Sequence, residues 1–338
     1  MRKLILHVMV LSLILTSCEV DKPIPVPVAV YPDWSYYDTG NSGLPGNNIR
    51  QIEIDEDDNK WMLVLMTSES KLVKYDDVNW EVYDVPETSL IGWSYHMSID
   101  GSGNIWISTT GTGLLKFDGG NWTIYNESNS GIPHTSISAS AADSIGNIWV
   151  STFGGGLAKL DTNENWEVFT MANSGLPADE VLAVAVDGDN NKWVSATKHP
   201  IAGGVTALAM FDDVSWTMYD VSVTGIPMYG VAISIDNNNV KWLSMDGIGL
   251  GRLDGSDWTH YNSSNSPLSV NGVYFVSFDQ LDNKWMGGMD GLIKFDDVDF
   301  TIYTTSNSGL IHNGIGDVAI DKKGVKWIVG PFGISIFQ

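Results

Sequence analysis

A tryptophan returns along this chain at nearly constant intervals, and that periodicity restricts the fold more than any other feature. Trp61, Trp106, Trp149, Trp193, Trp242, Trp285 and Trp327 are separated by 42 to 49 residues. Each follows a turn-forming stretch and lies in a short β-rich run, as in Gly103-Asn104-Ile105-Trp106-Ile107. A second series, Trp34, Trp80, Trp122, Trp166, Trp216, Trp258 and Phe300, carries an aromatic residue three positions on: Tyr37, Tyr83, Tyr125, Phe169, Tyr219, Tyr261 and Tyr303. Both series have seven members. A period of this size marks a repeat architecture, in which units bury their hydrophobic faces against one another.

Each unit divides into four short strands: an inner one such as Val181 to Val186, the tryptophan-bearing one, one like Leu114 to Phe117, and the Trp-x-x-Tyr one. Four strands per repeat predict an all-β fold, a seven-bladed β-propeller with four-stranded antiparallel blades over residues 34–338. Residues three apart on a strand point to opposite faces, so each Trp-x-x-Tyr pair sends one ring toward either neighbouring blade. Blades converge on an axis, and Ser138 to Ala142 and Ala183 to Ala185 are small where the innermost strand has least room. A straight β-solenoid needs no such taper. The chain opens on an outer-strand marker, Trp34, and ends on a third strand, Gly333 to Phe337. Residues 34–38 are therefore expected to complete the last blade and leave no open sheet edge.

The strings Asp100-Gly101-Ser102-Gly103-Asn104-Ile105-Trp106, Gly113 to Gly119, Trp122 to Tyr125 and Ser130-Gly131-Ile132-Pro133 carry a family likeness. This pattern resembles the two-component regulator propeller repeat over about residues 34–338. The resemblance implies a propeller of the kind found in extracytoplasmic sensor regions of Bacteroidetes hybrid two-component systems, many of which sense oligosaccharides. It speaks strongly for fold and weakly for function. The chain departs from that layout in having one ring and neither a later membrane span nor a kinase segment, so direct phosphotransfer is not expected.

Residues 1–17 read as an export signal. A basic start, Met1-Arg2-Lys3, precedes an apolar run from Leu4 to Leu15, and Leu15-Thr16-Ser17-Cys18 resembles a lipobox. The apolar run is shorter than the roughly 20 residues that span a bilayer. Cys18, the only cysteine, is the expected lipidation site. Lys22-Pro23-Ile24-Pro25-Val26-Pro27 and Pro32 favour an extended chain, so residues 18–33 form the expected lipidated tether. The expectation is a monomeric outer-membrane lipoprotein, its body facing the periplasm or the exterior. A formal charge of −23 opposes phosphate backbones and excludes nucleic acid as a partner.

Blade connections alternate between two ends of the ring. On the end called the top here, the turns following the Ser-Gly-Leu-Pro-like segments carry Asn47, Asn48, Trp93, His134, Asp179, Glu180, Met228, Tyr229, Asn271, His312 and Asn313. These residues vary while the scaffold repeats, and amides, a few acids and aromatics suit a polyhydroxylated ligand. They are the candidate ligand-binding set, for a glycan or an envelope protein partner. Ordinary solvated loop residues are the competing reading. Blade four adds an insertion, Lys198 to Gly204, that separates its two tryptophans by 23 positions against 15 to 19 elsewhere.

The opposite end gathers acids: Asp55-Glu56-Asp57-Asp58, Asp76-Asp77, Asp187-Gly188-Asp189, Asp212-Asp213 and Asp296-Asp297. Calcium is one reading of these turns, since carboxylates suit a hard cation. Lys60 and Lys192, however, stand where an EF-type loop requires glycine, and no distal glutamate follows. Turn formation by Asp and Asn accounts for the pattern, so no cofactor or metal is expected. Signature motifs of catalysis are absent from the sequence: it has no Gly-x-Ser-x-Gly, His-Glu-x-x-His or phosphate loop. The leading expectation is a non-catalytic binding module. A propeller lyase or hydrolase using His96, His134 or His312 with an acid is the alternative, and a purely structural envelope protein is the third.

Overall fold

The computed structural model describes residues 31–86, 96–197, 206–219, 232–245, 247–268 and 273–338. Cys18, the tether to residue 30, Trp93, Met228, Tyr229, Asn271 and the 198–204 insertion lie outside the described residues. Within them, 28 strands form seven antiparallel sheets of four strands each, the seven-bladed propeller that the tryptophan period predicts. Blade 1 runs outward from the axis as Ile49–Ile54, Lys60–Leu65, Ser70–Tyr75 and Trp80–Asp84. The inner strands of blades 2 to 7 are His96–Ile99, Ile137–Ala142, Glu180–Val186, Ala232–Ile235, Phe275–Phe278 and Asp317–Ile320.

Blade 7 is assembled from both ends of the chain. Its fourth strand is Trp34–Tyr37, paired antiparallel to Gly333–Phe337 with Trp34 opposite Phe337 and Tyr37 opposite Ile334. Trp34 stacks on Phe337 at 4.5 Å and leans on Tyr303 of blade 6, whereas Tyr37 meets Tyr75 and Trp80 of blade 1. One aromatic pair thus grips both neighbours, as the three-residue spacing requires.

The marker tryptophans and the acidic turns prove to be one device. Six residues before each tryptophan stands an aspartate: Asp55, Asp100, Asp143, Asp187, Asp236, Asp279 and Asp321. In every blade one carboxylate oxygen accepts the backbone N–H groups two and four residues on, as Asp279 does from Leu281 and Asn283. The other oxygen accepts the indole Nε1–H of the tryptophan at 2.8 to 3.1 Å. The third residue after the aspartate has positive φ and is Gly, Asn or Asp throughout, the side chains that tolerate a left-handed turn. Each buried indole thereby has its hydrogen-bond partner. Asp55 and Asp187, weighed above as calcium ligands, are occupied by these donors.

The lysines that follow these turns also have a structural reason. Lys60, Lys192, Lys241, Lys284 and Lys326 reach across to the marker tryptophan of the preceding blade, with Nζ 4.7 to 5.1 Å from the ring centroid. Lys60, Lys192 and Lys284 also pair with Asp77, Asp213 and Asp297 at 2.6 to 2.8 Å. A buried ammonium is tolerated here because a carboxylate and a π face both compensate it. Blades 2 and 3 replace the lysine with Ile105 and Ile148, which pack in the same clusters as Trp61 and Trp106.

Candidate functional site

The inner strand of a blade has one sheet edge without a strand partner, and its free peptide groups face the channel. Side chains from the neighbouring blade serve that edge. The Gln51 amide accepts from Met97 N–H at 2.6 Å and donates to Met97 C=O at 3.0 Å. Ser140 N–H donates to His96 Nδ1 at 3.5 Å, Ser138 Oγ donates to Val181 C=O, and Ser277 Oγ to Val318 C=O. Ile52 N–H donates to Asp317. His96, the first alternative catalytic residue, is therefore part of the edge. Burial pushes its pKa down to about 4, so the ring is neutral at pH 7.

One position on the inner strands departs from its equivalents. Opposite the marker tryptophan, blades 2 to 7 carry Ser98, Ala141, Ala185, Ser234, Ser277 and Ala319, whereas blade 1 carries Glu53. Burial, reinforced by the charge of Asp317 and opposed by a hydrogen bond with Gln51, pushes Glu53 up to about 8. Burial likewise pushes Asp317 up to about 7. Both residues keep partial solvent access, which moderates the effect. A carboxyl whose folded pKa exceeds its unfolded value holds its proton more tightly when folded, so stability falls as pH rises between those two values. Urea unfolding should show a loss of about 1 to 2 kcal/mol from pH 7 to pH 8.5, above the range in which His96 titrates and where Glu53 dominates, since each tenfold difference in proton affinity between the folded and unfolded chain is worth about 1.4 kcal/mol. Glu53→Gln should remove most of that loss, and parallel profiles for the variant and the parent would disprove the assignment.

Several top-face candidates hold their own loops together. Asn47, Asp179 and Asn313 differ in context but make the same bond, each accepting the backbone N–H of the residue eight positions earlier at 2.7 to 2.8 Å. In blade 3 the roles reverse, and Glu127 accepts Thr135 N–H. His134 Nδ1 accepts Ser136 N–H at 3.0 Å, and His312 Nδ1 accepts Gly314 N–H at 2.8 Å, one turn motif in two blades. Glu180 opens the inner strand of blade 4, and Asn48 is exposed with its C=O accepting Leu65 N–H. The described candidates fall in two arcs: Asn47, Asn48, His312 and Asn313 on blades 1 and 7, and His134, Asp179 and Glu180 on blades 3 and 4.

The first arc borders a shallow, half-open dent of about 10 Å³, room for a single water, lined by Ile311, His312, Gly314, Ile315, Gly330 and Phe332, among others. Two backbones approach closely at its floor: a Cβ on Gly330 would lie 2.7 Å from Gly314 C=O. Phe332, 57% exposed, projects from the turn between the second and third strands and lies 4.8 Å from the His312 ring. On the same arc, Tyr274 is 45% exposed at the head of the blade 6 inner strand. Arg50 is exposed on the blade 1 inner strand, where the register slips between Ile49 and Gln51. Sequence reasoning missed Phe332, Tyr274, Arg50 and Glu53. The available signal was the repeat alignment, in which Glu53 replaces Ser or Ala and Arg50 is one of two arginines beyond residue 2.

No family model matches the chain, and no curated protein does. Solved structures match the fold at identities that carry fold alone. The extracellular domain of BT3049 from B. thetaiotaomicron, assigned as a hybrid two-component system, aligns with TM-score 0.68 and 16% identity, over 90% of this chain and 41% of that one. PorZ, a surface component of the type-IX secretion system of Porphyromonas gingivalis, aligns with TM-score 0.69 and 17% identity over 88% and 47%. Virginiamycin B lyase from Staphylococcus aureus, solved with quinupristin in a catalytically inactive form, aligns with TM-score 0.69 and 13% identity over 90% and 98%. The chain thus spans less than half the length of the first two. The propeller seen here is a β-propeller that structurally resembles extracellular sensor domains of Bacteroidetes two-component systems, and lyases share its fold.

Proposed function

We propose that this chain is a non-catalytic binding propeller of the cell envelope, tethered through Cys18, that takes a glycan on the top face of blades 6, 7 and 1. The observation that carries the reading is Phe332, a phenyl ring turned to solvent on a shallow glycine-lined surface and backed by His312. Saccharide rings stack their C–H faces on such aromatics while nearby amides and imidazoles bond their hydroxyls. The non-catalytic part rests on how the alternative acid–base groups are engaged. His96, His134 and His312 each hold a backbone N–H through Nδ1, and Asp179 and Asp317 do so through a carboxylate oxygen. The fold likeness to extracellular sensor domains supports a periplasmic or surface setting.

Isothermal titration with neutral and acidic oligosaccharides tests this. Phe332→Ala should weaken binding by about 10-fold or more, the worth of one ring stack, with an unchanged melting temperature. Heat from no sugar in the panel, together with a cross-linked envelope protein on the intact chain, would replace the glycan with a protein partner. Release of product from a bound sugar would overturn the non-catalytic reading.

A further inference from the structure

We infer that the mouth of the channel reads an acid group on its ligand through Arg50, which makes the ligand an acidic saccharide bearing a carboxylate, a uronate. This rests on the glycan reading above and narrows it. Among the described residues every other lysine and arginine has an ion pair, a hydrogen bond or an aromatic face as partner, and Arg50 has none. In a chain of formal charge −23 a guanidinium without a carboxylate partner is unexpected. Its place on the strand is a register slip that recurs at Ser138 and Leu182 in blades 3 and 4, and at Arg50 the side chain is exposed. The slip makes Arg50 the extra residue of a β-bulge, outside the strand's alternation of faces.

The neighbouring blades leave room for a ligand there. Counted from the marker tryptophans, Tyr274, Gly316 and Arg50 occupy the same position on the inner strands of blades 6, 7 and 1, immediately before Phe275, Asp317 and Gln51. A half-exposed phenol and an exposed guanidinium therefore flank a residue without a side chain. A Cβ on Gly316 would approach Arg50 C=O at 3.2 Å. The planar fork of a guanidinium fits a carboxylate with two parallel bonds, and a sugar ring carrying that carboxylate can lie on the phenol. More than half of the acidic residues lie in the turns at the other end of the ring, where they repel an anion least from this mouth.

The test is titration of the intact protein with paired probes: short oligogalacturonates against their methyl esters, and alginate oligomers against neutral xylo- and malto-oligomers. The parent should bind at least one uronate series about 10- to 100-fold more tightly than its neutral counterpart, as a charge-assisted bond warrants. Arg50→Gln should abolish that preference and leave the melting temperature unchanged, because the Arg50 side chain has no partner in the fold. Arg50→Lys should restore part of it. Neutral oligomers binding as tightly as uronates would overturn the inference and leave the glycan reading standing. Binding of none of the probes would overturn both.

Discussion

Deleting residues 34–39 from the otherwise complete chain should lower the unfolding midpoint of the entire ring by more than about 10 °C. The deletion removes Trp34 and Tyr37, and loss of each packed aromatic is worth about 3 kcal/mol. It also exposes the edge of Gly333–Phe337, whose Ile334 and Ile336 are buried. The Ser-Gly loop of blade 7 loses its seat as well, since Gly309 lies so close to Trp34 that a Cβ there would be 2.2 Å from the tryptophan Cβ. Because adjacent blades share their aromatic packing, the loss should appear as one cooperative shift in calorimetry. The milder Trp34→Ala should move the midpoint in the same direction by about half as much. An unshifted melt for the deletion would mean that the ring does not depend on this strand.

The second large effect is expected at the aspartate beneath a marker tryptophan. Asp279→Ala leaves the N–H groups of Leu281 and Asn283 and the buried indole of Trp285 without their acceptor. With the buried Asn283 amide, which also donates to Asp279, four orphaned donor groups should destabilise the protein by about 3 to 5 kcal/mol in urea unfolding. Asp296, in an exposed turn, also accepts two backbone N–H groups, but water can replace it, and Asp296→Ala should leave the midpoint near that of the parent. Equal destabilisation by the two would refute the role assigned to the buried indole. Acid should act on the same bonds. For Asp55, Asp143, Asp187 and Asp279, burial raises the pKa, but hydrogen bonds from the tryptophan and the turn outweigh it and hold the carboxyl below its usual value. Their contribution is present above the ordinary aspartate range and is lost as pH falls through the depressed values.

Much of the architecture was legible because each blade contacts mainly its neighbours, so the same solution is written seven times. The spacing of Trp61 and its equivalents gave the blade count, the three-residue step from Trp34 to Tyr37 gave the two packing faces, and the phase of the two series gave the closure. The Asp to Trp bond could have been read from the constant interval of six residues, but acidic turns and tryptophans look like separate signals until the hydrogen bonds join them. Candidate ligand residues were less legible. Asn47, Asp179 and Asn313 looked variable, yet they perform one loop-closing task, because an Asn and an Asp oxygen accept an N–H equally well.

By itself the sequence determined a seven-bladed ring, its closure through Trp34–Tyr37 and the taper toward the axis, because these follow from local periodicity and side-chain size. Only the tertiary structure decided which groups meet across blades. Lys60 over Trp327 and Asp317 beside Ile52 join residues from opposite ends of the chain, and closing the ring creates those contacts. It also decided which side chains stay free. The same one-residue slip in pairing recurs at Arg50, Ser138 and Leu182, yet of Ser138 and Arg50 the first is buried and bonded across blades while the second is exposed, a difference set by the neighbouring blade.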